Sequence, residues 1–119
     1  MTVQPDVALR DNAGKPELAY VLDLRHALEA LAAVFSQGAV KYLPRNWMKG
    51  GKEDDEYLGA ALRHLLKYRN GEDYDQETGC LHMAHVMWNV SALIELNLRH
   101  HDVLDPEFDQ AAFLARYGK

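Results

Sequence analysis

Residues 54–99, DDEYLGAALRHLLKYRNGEDYDQETGCLHMAHVMWNVSALIELNLR, decide the fold. Leu58, Ala61, Leu62, Leu65 and Leu66 repeat with helical spacing and predict a buried stripe on a helix from Asp54 or Asp55 to about Arg69. The acids at its start complement the positive helix end, and Asn70-Gly71 is a stop signal. Leu81, Ala84, Trp88, Ala92 and Leu96 predict a second long helix, from about Gln76 or Thr78 to about Arg99. Upstream, Leu24, Leu28, Leu31 and Phe35, with Ala32 and Ala39 alongside, predict an amphipathic helix over about 20–42 that Pro44 ends. Asp105-Pro106-Glu107 starts a short fourth helix containing Phe108, Ala112 and Phe113. No segment alternates with period 2. The expected fold is all-α: an antiparallel bundle of three main helices plus a short C-terminal one. Residues 1–15 read as an irregular arm within a single domain, 1–119.

Only one core fits in 119 residues, and the hydrophobic content of 48% excludes a disordered chain. So short a bundle is expected to leave Trp88, Tyr57, Phe35 and Phe113 poorly covered, which predicts a homo-oligomer, a dimer or higher, that completes the bundle. The formal charge of −5 argues against a duplex-DNA binder. Cys80 is the sole cysteine, so there is no internal disulfide and no multi-Cys zinc site. Neither a signal pattern nor a membrane-length apolar run is present, which predicts a cytoplasmic location and no membrane partner.

Chemistry-bearing side chains gather around the connection between the second and third helices. His64 lies on the second helix, Glu72, Asp75 and Glu77 lie in the bend, and His82, His85 and Asn89 share one side of the third helix. An antiparallel pair brings the imidazoles and carboxylates to one end. Glu72, Asp75 and Glu77 are oxygen donors suited to Mg²⁺ or Mn²⁺, which can polarise a phosphoryl group and acidify an attacking water. His64, Glu72, Asp75 and His85 are the expected metal residues, and Glu77, then Glu72, the expected base. Lys15, Lys41, Asn46 and Arg63 are cationic or amide groups for phosphate and sugar, with His82 and Asn89 beside them. Trp47 or Tyr42 could stack a base. Hydrolysis of a phosphoanhydride is the reaction such a set suits.

The series Asp11…Gly14-Lys15-Pro16, Gly38-Ala39-Val40-Lys41-Tyr42, Asn46-Trp47, Ala60-Ala61-Leu62-Arg63-His64-Leu65, Gly71-Glu72-Asp73…Asp75…Glu77-Thr78-Gly79 and His82…His85…Asn89 resembles the phage dATP/dGTP diphosphohydrolase N-terminal-domain family. The resemblance covers about residues 11–98. It implies a phage-encoded protein that hydrolyses dGTP or dATP to the monophosphate and pyrophosphate with a divalent metal (Mg²⁺, Mn²⁺ or Co²⁺). A looser likeness is to the all-α MazG-type pyrophosphohydrolases, which pair an EExxE helix with a later ExxD. Here Glu72-Asp73-Tyr74-Asp75 fits ExxD but no EExxE exists, which favours a mixed His/carboxylate site. Two other readings stay open: a non-catalytic phage helical module that binds a nucleotide or host protein, and an HD-type hydrolase built on His101-Asp102.

Overall fold

The computed structural model describes residues 16–99 and 109–118. A 3-10 turn, Leu18–Asp23, leads into α1 (Arg25–Lys41); a second short 3-10 turn, Asn46–Lys49, precedes α2 (Asp54–Arg69); then come α3 (His82–Leu98) and α4 (Gln110–Tyr117). Among the described residues there is no strand, only an isolated antiparallel bridge between Tyr74 and Leu81. The all-α expectation therefore holds. No helix of the described residues is long and apolar enough to cross a membrane.

Packing centres on α3, which touches both α1 and α2. It runs antiparallel to α2. Near its start, His82 meets His64 in the second half of α2; near its end, Leu96 and Arg99 meet Gly50 and Met48, which precede α2. On the other side, Val34 of α1 packs with Cys80 and Ala84, flanked by Ala30 and Trp88. Phe35 stands edge-on to both Trp47 and Trp88, with ring centres 5.7 and 6.1 Å away, so an aromatic row ties α1 and the 46–49 turn to α3.

Two boundaries differ from expectation. The first helix starts at Arg25 because the chain takes a 3-10 turn before it, and α3 starts at His82 rather than near Gln76 or Thr78. The reason for the second lies in Asp75. Its carboxylate accepts the Thr78 amide at 3.0 Å, as a helix cap would. Gly79, at φ +76°, then turns the chain back, and Asp75 N–H donates to Cys80 O at 2.7 Å. The cap closes a tight loop instead of opening a helix. The end of α2 follows its sequence signal: Gly71 has φ +99°, Glu72 N–H reaches Lys67 O and Gly71 N–H reaches Tyr68 O, the paired bonds of a Schellman turn. The irregular arm (1–15), Asp105-Pro106-Glu107, Phe108 and His101-Asp102 lie outside the described residues.

The buried stripe expected on α2 is also corrected. Tyr57 and Ala61 face inward, whereas Leu58, Leu62, Leu65 and Leu66 are exposed. The buried positions of α2 are Tyr57 and the small Ala61, which permits a close approach to α3, and the leucines point away. Tyr57, expected to lie uncovered, is buried, while Trp88 and Phe35 are half-buried. The side chain of Phe113 lies outside the described set.

Candidate metal centre in a basic cleft

The largest fully buried side chain among the described residues is His82. A histidine in that place needs polar partners, because burial of an unpaired imidazole costs free energy. The local chain supplies them. The Schellman turn after α2 carries Glu72 back toward α3, and the 74–81 bridge sets Asp75 beside the first turn of α3, where His82 N–H bonds Asp73 O at 2.9 Å. His82 Nδ1 lies 2.8 Å from His64 Nδ1, and Nε2 lies 3.4 Å from Glu72 Oε2 without forming a hydrogen bond.

Ligand-capable atoms of His64, Asp75 and His82 all lie within 4.8 Å of one another. Two bare imidazole nitrogens 2.8 Å apart repel, so either a proton or a cation belongs between them. Neighbouring ligands at about 2.1 Å from one octahedral ion stand about 3 Å apart, close to the separation seen here. A cation held by both Nδ1 atoms would leave His82 with its proton on Nε2, directed at Glu72, the carboxylate–imidazole support common behind metal-bound histidines. The residues present fit a divalent ion.

His85 stands next to this group. Its ring stacks on His64 with 4.3 Å between centres and 8° between planes, and its Nε2 is 2.8 Å from Thr78 Oγ1. The tautomer follows from donor counting. Asp75 is an acceptor only, so Thr78 donates its one hydroxyl proton to Asp75 Oδ2 at 2.9 Å. Thr78 Oγ1 must then accept from His85 Nε2, as it does from the Cys80 amide at 3.2 Å. His85 therefore carries its proton on Nε2 and leaves Nδ1 bare.

Charge follows environment. Burial lowers the pKa of His64 to about 4, with His85 and His82 nearby adding to the effect and Asp75 opposing it. Burial also lowers that of His85, against the pull of Asp75. Burial alone would raise the Asp75 carboxyl, but two hydrogen bonds from Thr78 and the neighbouring His85 and His64 hold it below its ordinary value. At neutral pH the centre thus offers uncharged imidazoles at His64 and His85 beside an ionised carboxylate, the protonation states metal ligation requires.

A prediction on stability arises here. The unfolded chain protonates His64 near pH 6.5, the folded chain only near pH 4, so acidification through that window favours unfolding. The metal-free protein should lose roughly 1–2 kcal/mol between pH 7 and pH 4.5 from this residue, after discounting for its partial exposure. Urea midpoints for the parent and His64→Gln check it: the variant's pH dependence should be flatter.

His64, Asp75 and His85 form one wall of a cleft of about 860 Å³ that runs between α1, the 43–50 loop, α2 and α3, with His82 buried behind them. Lys41, Arg45, Lys49, Lys52, Arg63 and Lys67 line it, opposed among the described residues only by the carboxylates of Asp75 and Glu77. A chain of net charge −5 has gathered nearly half of its thirteen Lys and Arg residues around one cavity. Arg45 is held there with φ +62°, a left-handed conformation uncommon for a residue with a side chain.

Of the residues singled out in the sequence, the cleft brings together His64, Asp75, His85, Glu77, Lys41, Tyr42, Asn46, Trp47, Arg63 and Asn89. Glu77 lies 3.4 Å from Lys41 Nζ, and both are exposed. Glu72 stands behind His82 and does not line the cleft. His82 joins His64 and Asp75, while His85 bonds Thr78 and sits 3.9 Å from Asp75 Oδ2. Trp47 has its ring edge-on to Phe35, and buried Asn89 donates to His85 O at 2.8 Å. Lys15 lies outside the described residues. Thr78, Lys49, Lys52 and Lys67 were not anticipated. The "ETG" string could have flagged Thr78 as an Asp75 partner three residues on.

The fold and site define an all-α domain with a His/carboxylate cluster in a cation-lined cleft. The chain belongs to the family described as dATP/dGTP diphosphohydrolase, N-terminal, whose model matches residues 6–106. It is 35% identical over 77 residues to a protein of Salmonella phage PMBT28 named dATP/dGTP diphosphohydrolase. That match covers 65% of this chain but 25% of the relative, so the chain spans about a quarter of the relative's length. No solved structure matches.

Proposed function

We propose that this domain binds a purine deoxynucleoside triphosphate, dGTP or dATP, and hydrolyses it to the monophosphate and pyrophosphate with a divalent metal. The observation that carries the reading is the pairing of a His64–Asp75–His82 cluster, of which His64 and Asp75 line the cleft, with six basic side chains around that cleft. Such a cleft suits a ligand that is polyanionic at one end and aromatic at the other. Lys41 and Arg63, with the other cations of the rim, draw in and hold the phosphates. Trp47 and Tyr42 line the cleft and offer aromatic faces on which a purine could stack, with Asn46 also in the lining for polar contact.

His64, Asp75 and His82 hold the ion, and Glu72 fixes the orientation of His82. Two imidazoles and one carboxylate suit Mn²⁺ or Co²⁺ better than Mg²⁺, which prefers oxygen ligands. When bound, the ion would neutralise charge that builds on the phosphate oxygens. Water attacks the α-phosphorus, the α–β bridging P–O bond breaks, and pyrophosphate leaves with that bond's electrons. The water's proton passes to a nearby base, either Glu77 or the bare Nδ1 of His85; both residues line the cleft.

The test is product analysis. With dGTP or dATP and Mn²⁺, ³¹P NMR should show pyrophosphate and the monophosphate in equal amounts. Release of tripolyphosphate, or no turnover with any of Mn²⁺, Co²⁺ and Mg²⁺, would overturn the reaction. A second reading, a helical module that binds the nucleotide without turnover, draws support from the domain's quarter share of its longer relative. Saturable dGTP binding with no product would decide for it.

A further inference from the structure

The interior of this protein is unusual in composition. Buried positions among the described residues are Val34, Tyr57, Ala61, Cys80, Ala84 and Ala92 with three polar groups, and not one leucine or isoleucine is among them. Several large aliphatic side chains are half-buried, Leu28, Leu31, Leu93 and Leu96 among them, and many others are exposed. On α2, Leu58, Leu62, Leu65 and Leu66 follow a helical stripe, and on α3 Met83, Val90 and Ile94 follow another; all are 39–60% exposed. At 100° per residue, each stripe falls across the α2–α3 contact from the cleft-lining residues, Arg63 and Lys67 on α2, His85 and Asn89 on α3. The two stripes therefore form one apolar face on the back of the site.

We propose that this face is covered by the same face of a second copy, with α2 antiparallel to its equivalent across a two-fold axis near Leu62. Charge complementarity selects that occupant and that direction. The first turn of α2 carries Asp54, Asp55 and Glu56, and its last turn carries Lys67 and Arg69. Antiparallel pairing centred on Leu62 sets Leu58 opposite the partner's Leu66, and Asp55 opposite the partner's Arg69, twice over by symmetry. A parallel arrangement would set acid on acid. The area is also sufficient: seven half-exposed side chains offer on the order of 600 Å² per copy, and with the charged ends approach the roughly 800 Å² per partner of a standard interface. Both clefts remain open in such a dimer. The inference is independent of the reaction proposed above.

Sedimentation equilibrium of the full chain at tens of micromolar should give twice the 13.5 kDa chain mass. Leu62→Glu with Leu66→Glu should give a monomer with unchanged helical circular dichroism and unchanged Mn²⁺ binding. Asp55→Arg alone and Arg69→Glu alone should each raise the dissociation midpoint at least about tenfold, and the two together should restore it. Leu62→Cys should cross-link through its own symmetry mate on mild oxidation, Cys80 being buried. A monomeric parent, which would leave the face to another protein or to further chain, overturns the proposal. So does a dimer that is indifferent to the two Glu substitutions, or a Leu62→Cys protein that does not cross-link. Charge reversals that add rather than compensate would also overturn it.

Discussion

Asp75→Asn should abolish Mn²⁺ binding and nucleotide hydrolysis together, each by on the order of 100-fold or more, while the loop around it survives. The reason is the double role of this carboxylate. One role is structural: Oδ2 accepts the amide and hydroxyl of Thr78 and so closes the 75–80 turn. An amide oxygen accepts those bonds equally well, so the fold should persist. The other role is charge. Among the described residues Asp75 is the only carboxylate grouped with His64 and His82, and the amide supplies no negative charge to offset a divalent ion. Calorimetric titration with Mn²⁺ alongside circular dichroism separates the roles. Intact Mn²⁺ affinity in a folded variant would remove Asp75 from the metal centre.

His82→Leu should show a second large effect, with opposite signs for function and stability. His82 is wholly buried, its Nε2 lacks a hydrogen bond, and its Nδ1 shares one contact with half-buried His64. An apolar side chain of similar volume removes an incompletely satisfied polar group, so the metal-free protein should keep its stability or gain about 1 kcal/mol. Metal binding and hydrolysis should fall by on the order of 100-fold, because one of the two imidazoles in the group is gone. Thermal denaturation without metal and Mn²⁺ titration read the two quantities separately. A variant that loses stability without losing Mn²⁺ binding would make His82 a structural residue only.

Much of this was readable in the chain. Helix α2 runs from Asp54 to Arg69, the bounds implied by its acidic start and the Asn70-Gly71 stop, because each signal acts through the backbone of its own turn. The gathering of His64, Asp75 and the α3 histidines was also readable, since a short connection between antiparallel helices leaves its polar groups nowhere else to go. Which α3 histidine would offer its Nδ1 to that of His64 was not. That depends on where α3 begins, and Asp75 mimics a helix cap while Gly79 redirects the chain. Starting at His82 brings its Nδ1 to that of His64, while His85 stacks its ring on His64 and turns its Nε2 to Thr78. The direction of the leucines on α2 was equally hidden. Periodicity reveals a stripe but not which neighbour covers it, and here Tyr57 and Ala61 take the contact with α3. The cation-lined cleft draws on α1, α2 and the 43–50 loop, and no local pattern records that convergence.

The most direct measurement is an anomalous-scattering map from crystals of the protein soaked in Mn²⁺. A single strong peak within ligand distance of His64 Nδ1, His82 Nδ1 and an Asp75 carboxylate oxygen is the expected result, with Glu72 behind His82 and outside the coordination sphere. A peak elsewhere in the cleft with these three side chains uninvolved, or no peak at millimolar Mn²⁺, would contradict it.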